Sequence, residues 1–337
     1  MMKYYMGLDA GATKTFCLVA DAQGCIAGFG RGGNGNYENQ GVEPAARENR
    51  KAVEGALADA GFALEDIACI GMGIAGADLR EDFDMLEREI YTPLFGKTRR
   101  VFRNDSMAAM RGSVRTSYGI VIACGTGVIA AGINRNGHEA RAGGLNEEFG
   151  DLWTGTIIGR QGLYAVYHAR DGIRPRTLLT DLFVKQSGCG DVEEFFYKMY
   201  RRELSVDDLQ PMAKIVFDAA FEGDAVAIDI LRTAGKYLGD MVIAVARKLD
   251  MTRQPFELVT AGSVFKGSSP VLKDCMMARV HEVCPEAAAV TPIYEPVVGA
   301  LLMALETDID MNAALYENLT ESLRQAEKRY NVEFTAK

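Results

Sequence analysis

The residues best suited to chemistry by type and spacing lie at the start of the chain: Asp9-Ala10-Gly11-Ala12-Thr13-Lys14-Thr15. A carboxylate, a glycine, two hydroxyls and an ammonium fall in one short stretch. β-type runs flank it, Tyr4-Tyr5-Met6 before and Phe16-Cys17-Leu18-Val19-Ala20 after. Strand, tight glycine turn and strand predict a β-hairpin. A Walker loop (Gly-x4-Gly-Lys-Ser/Thr) or a Rossmann loop (Gly-x-Gly-x-x-Gly) would open a helix, and neither pattern is present. A hairpin can still hold phosphate. Gly11 lets backbone N–H groups approach an anion, and Thr13 and Lys14 add donors. Asp9, at the strand end, can hold the water shell of a Mg²⁺ ion on those phosphates. Taken alone, the stretch is equally an ordinary glycine-rich hairpin, so its companions must decide.

Three companions stand out. Asn104-Asp105 follows the strand Arg100-Val101-Phe102-Arg103 and precedes a helix over 106–112. Catalytic groups of open α/β sheets sit at the carboxyl ends of strands, so Asp105 is placed to act. It is also a candidate N-cap, and the two roles are compatible. From residue 118 the opening theme returns: strand 118–124, turn Gly125-Thr126-Gly127, strand 128–133. Two such halves facing each other would pinch a polyphosphate, which lifts both hairpins above coincidence. The third companion is the Gly/Asn-rich loop 32–41, whose amides can hydrogen-bond sugar hydroxyls or which is simply rich in turn formers; 141–151 is another Gly-rich, acidic loop.

Regular elements must position these groups. A third strand, 25–30, completes an antiparallel meander, and a helix over 42–60 carries Ala46, Asn49, Val53, Ala56 and Leu57 on one face. A strand at 67–74, a helix near 79–91 and the strand before Asn104 complete β-β-β-α-β-α-β. The second half continues with a helix near 153–170, amphipathic helices over 171–222 and a long helix, 224–249, apolar around most of its circumference and expected inside. Its Gly235 and Gly239 allow another backbone to pack closely. Strands at 256–261 and 287–291 follow, with a helix at 268–283 between them; a helix at 295–305 then closes the second domain. The expected domains are 1–115 and 116–306, with a charged helix at 309–330 packed back on the first and a tail from Tyr330.

With 337 residues, 48% hydrophobic and 25% charged, the chain suits about two globular domains with a large core. A net charge of −9 without a Lys/Arg-rich run argues against nucleic acid. No apolar run reaches bilayer length and no signal peptide is expected, so membrane partners are excluded and a cytoplasmic site is anticipated. Seven widely spaced cysteines with no Cys-x-x-Cys pair point to free thiols, and three scattered histidines argue against a His-based metal site.

These motifs resemble, in order, those of the actin-like ATPase superfamily of sugar kinases, Hsp70 and actin. The nearest look is to N-acetylglucosamine kinases and the BadF/BadG/BcrA/BcrD-type ATPases grouped with them, over about residues 3–305. The resemblance rests on Asp9–Thr15, Asn104-Asp105, Cys124-Gly125-Thr126-Gly127, Gly143-Gly144 with Gly150-Asp151, and Ala261-Gly262-Ser263-Val264. It implies an α/β fold of two actin-like, ribonuclease H-like domains, each a mixed five-stranded sheet with flanking helices, with nucleotide in the cleft between. It implies ATP and Mg²⁺ as cofactors, a small sugar as substrate and a homodimer. Residue by residue, Asp9 would hold Mg²⁺ through water, and Gly11, Thr13 and Lys14 would bind the β- and γ-phosphates. Gly125, Thr126 and Gly127 would form the second phosphate hairpin, with Gly262 and Ser263 under the adenosine. Asp105 would be the base, and Asn36, Gly144 and Asp151 would hold the sugar along with Asp105.

Departures from the family pattern cluster in the sugar-facing loops. Val128 replaces the serine of Gly-Thr-Gly-Ser, Leu145-Asn146 stand in place of Trp-Gly after Gly143-Gly144, and Leu152-Trp153 replace the Glu-Gly that follows Asp151. The leading expectation is an ATP-dependent kinase of an amino or N-acetylated sugar. One alternative is an activator ATPase of an acyl-CoA dehydratase or reductase, with an iron–sulfur cluster for which Cys124 and Cys189 are conceivable ligands. Another is a non-catalytic sugar- or nucleotide-binding regulator, though the segment before the first strand has no room for a helix-turn-helix.

Overall fold

The structure, a computed structural model, describes residues 3–335. The chain forms two compact units, 1–121 with 290–337, and 122–289.

The first unit is built on a mixed five-stranded sheet in the order β3-β2-β1-β4-β5. Its strands are β1 (Tyr4–Ala10), β2 (Thr15–Asp21), β3 (Ile26–Gly32), β4 (Ile67–Ile74) and β5 (Arg100–Asn104). The meander is antiparallel, while β1, β4 and β5 run parallel, so their carboxyl ends share one edge. Side chains alternate across the sheet with the period of a strand. Met6, Leu8, Cys17 and Val19 face one apolar layer, and Tyr5, Phe16, Leu18 and Ala20 face the other. Between β3 and β4 come α1 (Tyr37–Gln40) and α2 (Val42–Ala60). The helix expected near 79–91 is instead α3 (Arg80–Leu86), a π-helical turn (Glu87–Tyr91) and α4 (Thr92–Phe95). Then α5 (Asp105–Arg111) leaves the end of β5.

The second unit repeats the strand order. Its sheet reads β10-β9-β6-β7-β8, from β6 (Gly119–Cys124), β7 (Val128–Ile133), β8 (Glu139–Gly143), β9 (Phe256–Ala261) and β10 (Ala287–Val290). Its helices are α6 (Gly155–Arg170), α7 (Leu178–Ser187), α8 (Val192–Tyr200), α9 (Met212–Phe221), α10 (Ala225–Lys248) and α11 (Val271–His281). The tight packing expected at Gly235 and Gly239 is made by α11: a Cβ at Gly235 would strike Leu272 O, and one at Gly239 would meet Arg279. Yet α10 is not an interior helix apolar around most of its circumference. Asp229, Arg232, Thr233, Lys236 and Asp240 make an exposed or half-exposed stripe, as an amphipathic surface helix requires.

Two expectations about the C-terminal part are corrected. The helix α12 (Pro296–Leu305) does not close the second unit; it belongs to the first, together with α13 (Ala313–Tyr330). The physical reason lies in β1 and β4. Gly7 and Gly71 have no side chains, and a Cβ on either would run into the backbone of α12, at 2.7 Å from Leu301 Cα for Gly7. Apolar from Val297 to Leu305, α12 therefore lies flat on the sheet and is buried along its length. The second unit thus ends at 289 rather than 306, and the first extends to 121 rather than 115. The expected tail is packed as far as Thr335. Phe334 is wholly buried against Phe29, and Thr335 pairs with Tyr294. Ala336 and Lys337 lie outside the described residues.

Candidate active site

The site in the first unit starts from the shared carboxyl edge of β1, β4 and β5. The register sets Asp9 beside Gly73 and Gly73 beside Arg103, so Asp9 and the start of α5 flank one glycine. A Cβ on Gly73 would strike Ala108 and come within 3.5 Å of Asp105 Cα. Removing that side chain is what lets α5 begin there and bring Asp105 to the edge. Asp105 is the first residue of the helix and not its cap, which corrects the sequence reading. The cap is Asn104, whose Oδ1 accepts from Ser106 N–H at 3.0 Å and from Ser106 Oγ at 2.6 Å. Asn104 Nδ2 donates to Asp78 at 3.0 Å, tying in the loop after β4.

The hairpin between β1 and β2 forms as expected, closed by Gly11 N–H to Lys14 O at 3.0 Å. Thr13 is exposed at its tip, whereas Thr15 is buried and donates to Gly33 O. Lys14 Nζ stands 2.9 Å from Glu295 Oε2 and 4.5 Å from the centre of the Phe16 ring. Backbone bonds draw in the neighbouring loops: Gly35 N–H to Gly11 O, and Ala75 N–H to Ala10 O, both 2.9 Å. Asn36 is buried and caps α1 by accepting from Glu38 N–H.

Electrostatically, Asp9 sits among other carboxylates and the Lys14 ammonium. Burial is the main cause that pushes the Asp9 carboxyl from 3.8 to about 7; the charge of Asp105 adds to it, Lys14 opposes it and Glu295 adds a little more. Asp105 and Glu295 thus act on Asp9 as like charges, and Lys14, ion-paired to Glu295, opposes them. No cluster of three metal-ligating side chains occurs among the described residues. Mg²⁺ held by one carboxylate, water and substrate phosphates needs no such cage. A buried Asp9 crowded by like charge fits a divalent cation, which would relieve the repulsion.

The second unit carries its own glycine turn. The Gly125-Thr126-Gly127 turn joins β6 to β7, with Gly125 N–H on Gly127 O at 2.8 Å and Gly155 N–H on Gly125 O at 2.7 Å. Gly262 follows β9 with φ +95°, and a Cβ there would collide with Cys124, so the backbone of Gly262-Ser263 lies directly against this turn. The Asp151 carboxylate is buried and accepts from the N–H groups of Gly144 (3.0 Å) and Leu145 (2.6 Å), while Arg141 donates to the carbonyls of Gly143 and Gly144. Asp151 thus shapes its loop from within. Trp153, where the family pattern has glycine, keeps the left-handed backbone at φ 64°. Bulky residues in that region are strained, and such strain concentrates at functional sites. Val128 is buried at the start of β7, and Leu145 and Leu152 are exposed. Cys124 is buried too, its thiol pushed up to about 12 by desolvation and donating toward Trp153 O, an environment that disfavours a cluster-binding thiolate. Cys189 is half-buried beyond α7.

Sequence reasoning missed Glu295. Its signal, an acidic residue ahead of a proline that opens a helix, reads only as a helix start.

A carboxylate pair at the parallel edge of a five-stranded mixed sheet, a glycine hairpin beside it and the same strand order repeated in a second unit fit the fold of an actin-like ATPase. The chain matches the BadF/BadG/BcrA/BcrD ATPase family over residues 6–304 and belongs to it. It is 27% identical over 314 residues to the N-acetyl-D-glucosamine kinase of Dictyostelium discoideum, covering 90% of this chain and 98% of that protein. It is 28% identical over 304 residues to the N-acetylmuramic acid/N-acetylglucosamine kinase of Clostridium acetobutylicum, with the same coverage of 90% and 98%. In fold it is similar to the crystal structure of a candidate N-acetylglucosamine kinase from Chromobacterium violaceum, with TM-score 0.64 and 23% identity over 90% of this chain and 99% of that one. The ROK hexokinase of Thermus thermophilus shares the fold at TM-score 0.54 and 18% identity, over 90% and 98%.

Proposed function

We propose that this protein is an ATP-dependent kinase that transfers the γ-phosphate to a hydroxyl of an amino sugar or N-acetylated hexose. One observation carries the reading: Asp9, Asp105 and Lys14 meet at one strand-end edge, in a chain whose relatives over nearly full length are amino-sugar kinases. Phosphoryl transfer needs alignment, charge neutralisation and one positioned carboxylate. In this reading Asp105 takes the proton of the attacking hydroxyl. Gly11, Thr13 and Lys14 donate to the β- and γ-phosphates, and the backbone of Gly125, Thr126 and Gly127 donates to phosphate from the second unit. Gly262 and Ser263 lie under the adenosine. Asp9 would hold Mg²⁺ through water, and the ion would supply neutralisation of phosphate charge. Asn36, Gly144 and Asp151 shape the loops that take the sugar, Asp151 through the N–H groups it already holds. We further propose a homodimer in the cytoplasm, for which light-scattering mass checks the first part.

The test is ATP-to-ADP turnover against hexoses, amino sugars and N-acetyl sugars. Stimulation by an amino or N-acetyl sugar is expected. If no sugar in the panel raises turnover above basal hydrolysis, the reading fails.

A further inference from the structure

Lys14 is the one cation of the phosphate hairpin, and its four-carbon stem gives it many positions from which to miss a phosphate. Only its backbone is fixed by the turn. Its ammonium is fixed by Glu295, 2.9 Å away, a residue 281 positions later in the chain. An ion pair with side chains 43% and 30% exposed adds little to stability. A carboxylate beside a polyphosphate site also opposes anion binding. A group that contributes little to the fold and repels the ligand calls for another role.

The placement of Glu295 is, by contrast, heavily determined. Its backbone N–H donates to Phe334 O at 2.8 Å, and its own carbonyl accepts the first turn of α12 through Val298 N–H at 2.9 Å. The preceding residue, Tyr294, donates from its N–H to Gly112 O at 3.1 Å and shares a 2.6 Å hydrogen bond with Thr320 Oγ1. Phe334 and Thr335 are pinned in turn by Glu327, which accepts from both N–H groups at 2.8 Å. The end of α5, the helix α13 and the C-terminal segment all converge on this one point.

We propose that Glu295 is a positioning residue that aims the Lys14 ammonium across the mouth of the phosphate hairpin, and that the C-terminal segment is the strut that holds Glu295 in place. This rests on the phosphate-binding role given to Lys14 above. Glu295 touches neither reacting atom; it acts through Lys14 by limiting where the ammonium can go.

The test is a double-mutant cycle of Glu295→Ala and Lys14→Met, with Glu295→Gln as the conservative variant, whose amide oxygen still accepts from Lys14. The backbone bond to Phe334 survives all three changes. Glu295→Ala is expected to lower kcat about tenfold with KM for ATP changed less than about threefold, since misplaced alignment costs rate more than binding. Glu295→Gln should stay within about threefold of the unmodified protein. The double variant should be no slower than Lys14→Met alone. Effects that multiply would overturn the proposal. So would an unchanged kcat in Glu295→Ala, or a Gln variant as impaired as the Ala variant. The cycle is read on basal ATP hydrolysis as well as on sugar-dependent turnover. A wrong acceptor class would leave the sugar arm silent in the unmodified protein, while basal hydrolysis still reports the Lys14–Glu295 coupling.

Discussion

Asp9→Asn tests whether the acidic edge is as crowded as its geometry says. Burial, with the charges of Asp105 and Glu295 behind it and Lys14 opposing, holds the Asp9 carboxyl at about 7 in the folded protein against 3.8 ordinarily. A carboxyl raised in this way binds its proton more tightly when folded. Its stabilising contribution is complete below about pH 4 and is lost as the pH climbs through about 7. Each unit of pKa is worth about 1.36 kcal/mol, so the whole window carries at most roughly 4 kcal/mol. Asparagine has the same shape and no charge, so it removes the pH-dependent part alone.

The assay is unfolding of the two proteins side by side from pH 4 to pH 8.5, without nucleotide or metal. The expected result is near-equality at the acid end and a variant more stable by about 2–4 kcal/mol at the alkaline end, the upper figure being the full window. Titrations common to both proteins cancel in the difference. A difference that is flat with pH, or one that favours the unmodified protein at high pH, would refute the crowding. Adding Mg²⁺ with an ATP analogue at pH 8 supplies the second arm. Ligand that binds only the folded state stabilises by RT ln(1 + [L]/Kd), so the unmodified protein should gain more than Asp9→Asn.

Other outcomes follow from the same edge. Asp105→Asn should fold normally and bind ATP, yet lose about a hundredfold or more in sugar-dependent turnover; near-normal turnover would send the search for the base to Asp151 or Glu147. Asn104→Ala, not a change at Asp105, should cost about 1 kcal/mol of stability through the lost cap, read by denaturant unfolding. Gly7→Ala places a Cβ 2.7 Å from Leu301 Cα, so a loss of about 1–3 kcal/mol is expected, and an unchanged melting curve would sink the account of how α12 packs. Thiol titration of the denatured protein, purified without reductant, should count all seven cysteines.

What the sequence made legible is whatever is decided locally. The two meanders, the hairpin turns and the helix over 42–60 follow from alternation, glycine placement and helical period, each of which reports a few neighbouring residues. The strand-end position of Asp105 was legible for the same reason. The capping role was assigned one residue too late because Asn and Asp cap almost equally well, and only backbone angles separate Asn104, extended at φ −60° and ψ 150°, from Asp105 inside the helix. The polar stripe on α10 was hidden because half-buried Val226, Ile228 and Ile230 lie outside its buried face and spread the apolar pattern around the helix. Asp151 reads from sequence as a free acid in a polar loop. Only the fold shows two N–H groups already on its carboxylate.

The assignment of α12 is the harder case, and it explains why the most informative residue of the site went unseen. Nothing local tells an apolar helix which of two sheets it will cover, because both present apolar faces of similar composition. The discriminating feature is steric and lies far away in the chain: Gly7 and Gly71 leave the sheet of the first unit low enough for a helix backbone to lie directly on it. Gly299 completes the fit, since a Cβ there would strike the carbonyl of Ala108 on α5. With α12 seated over β1 and β4 and against α5, its first turn necessarily arrives beside the β1–β2 hairpin. Glu295 is the residue that arrives there. The glycines of the strands therefore do two jobs at once: they set how closely a helix packs and, through that, which carboxylate meets Lys14. If the packing is what delivers Glu295, then Gly7→Ala should weaken the Lys14–Glu295 coupling as well as stability. A Gly7→Ala protein that is destabilised yet keeps full coupling would separate the two and refute the link.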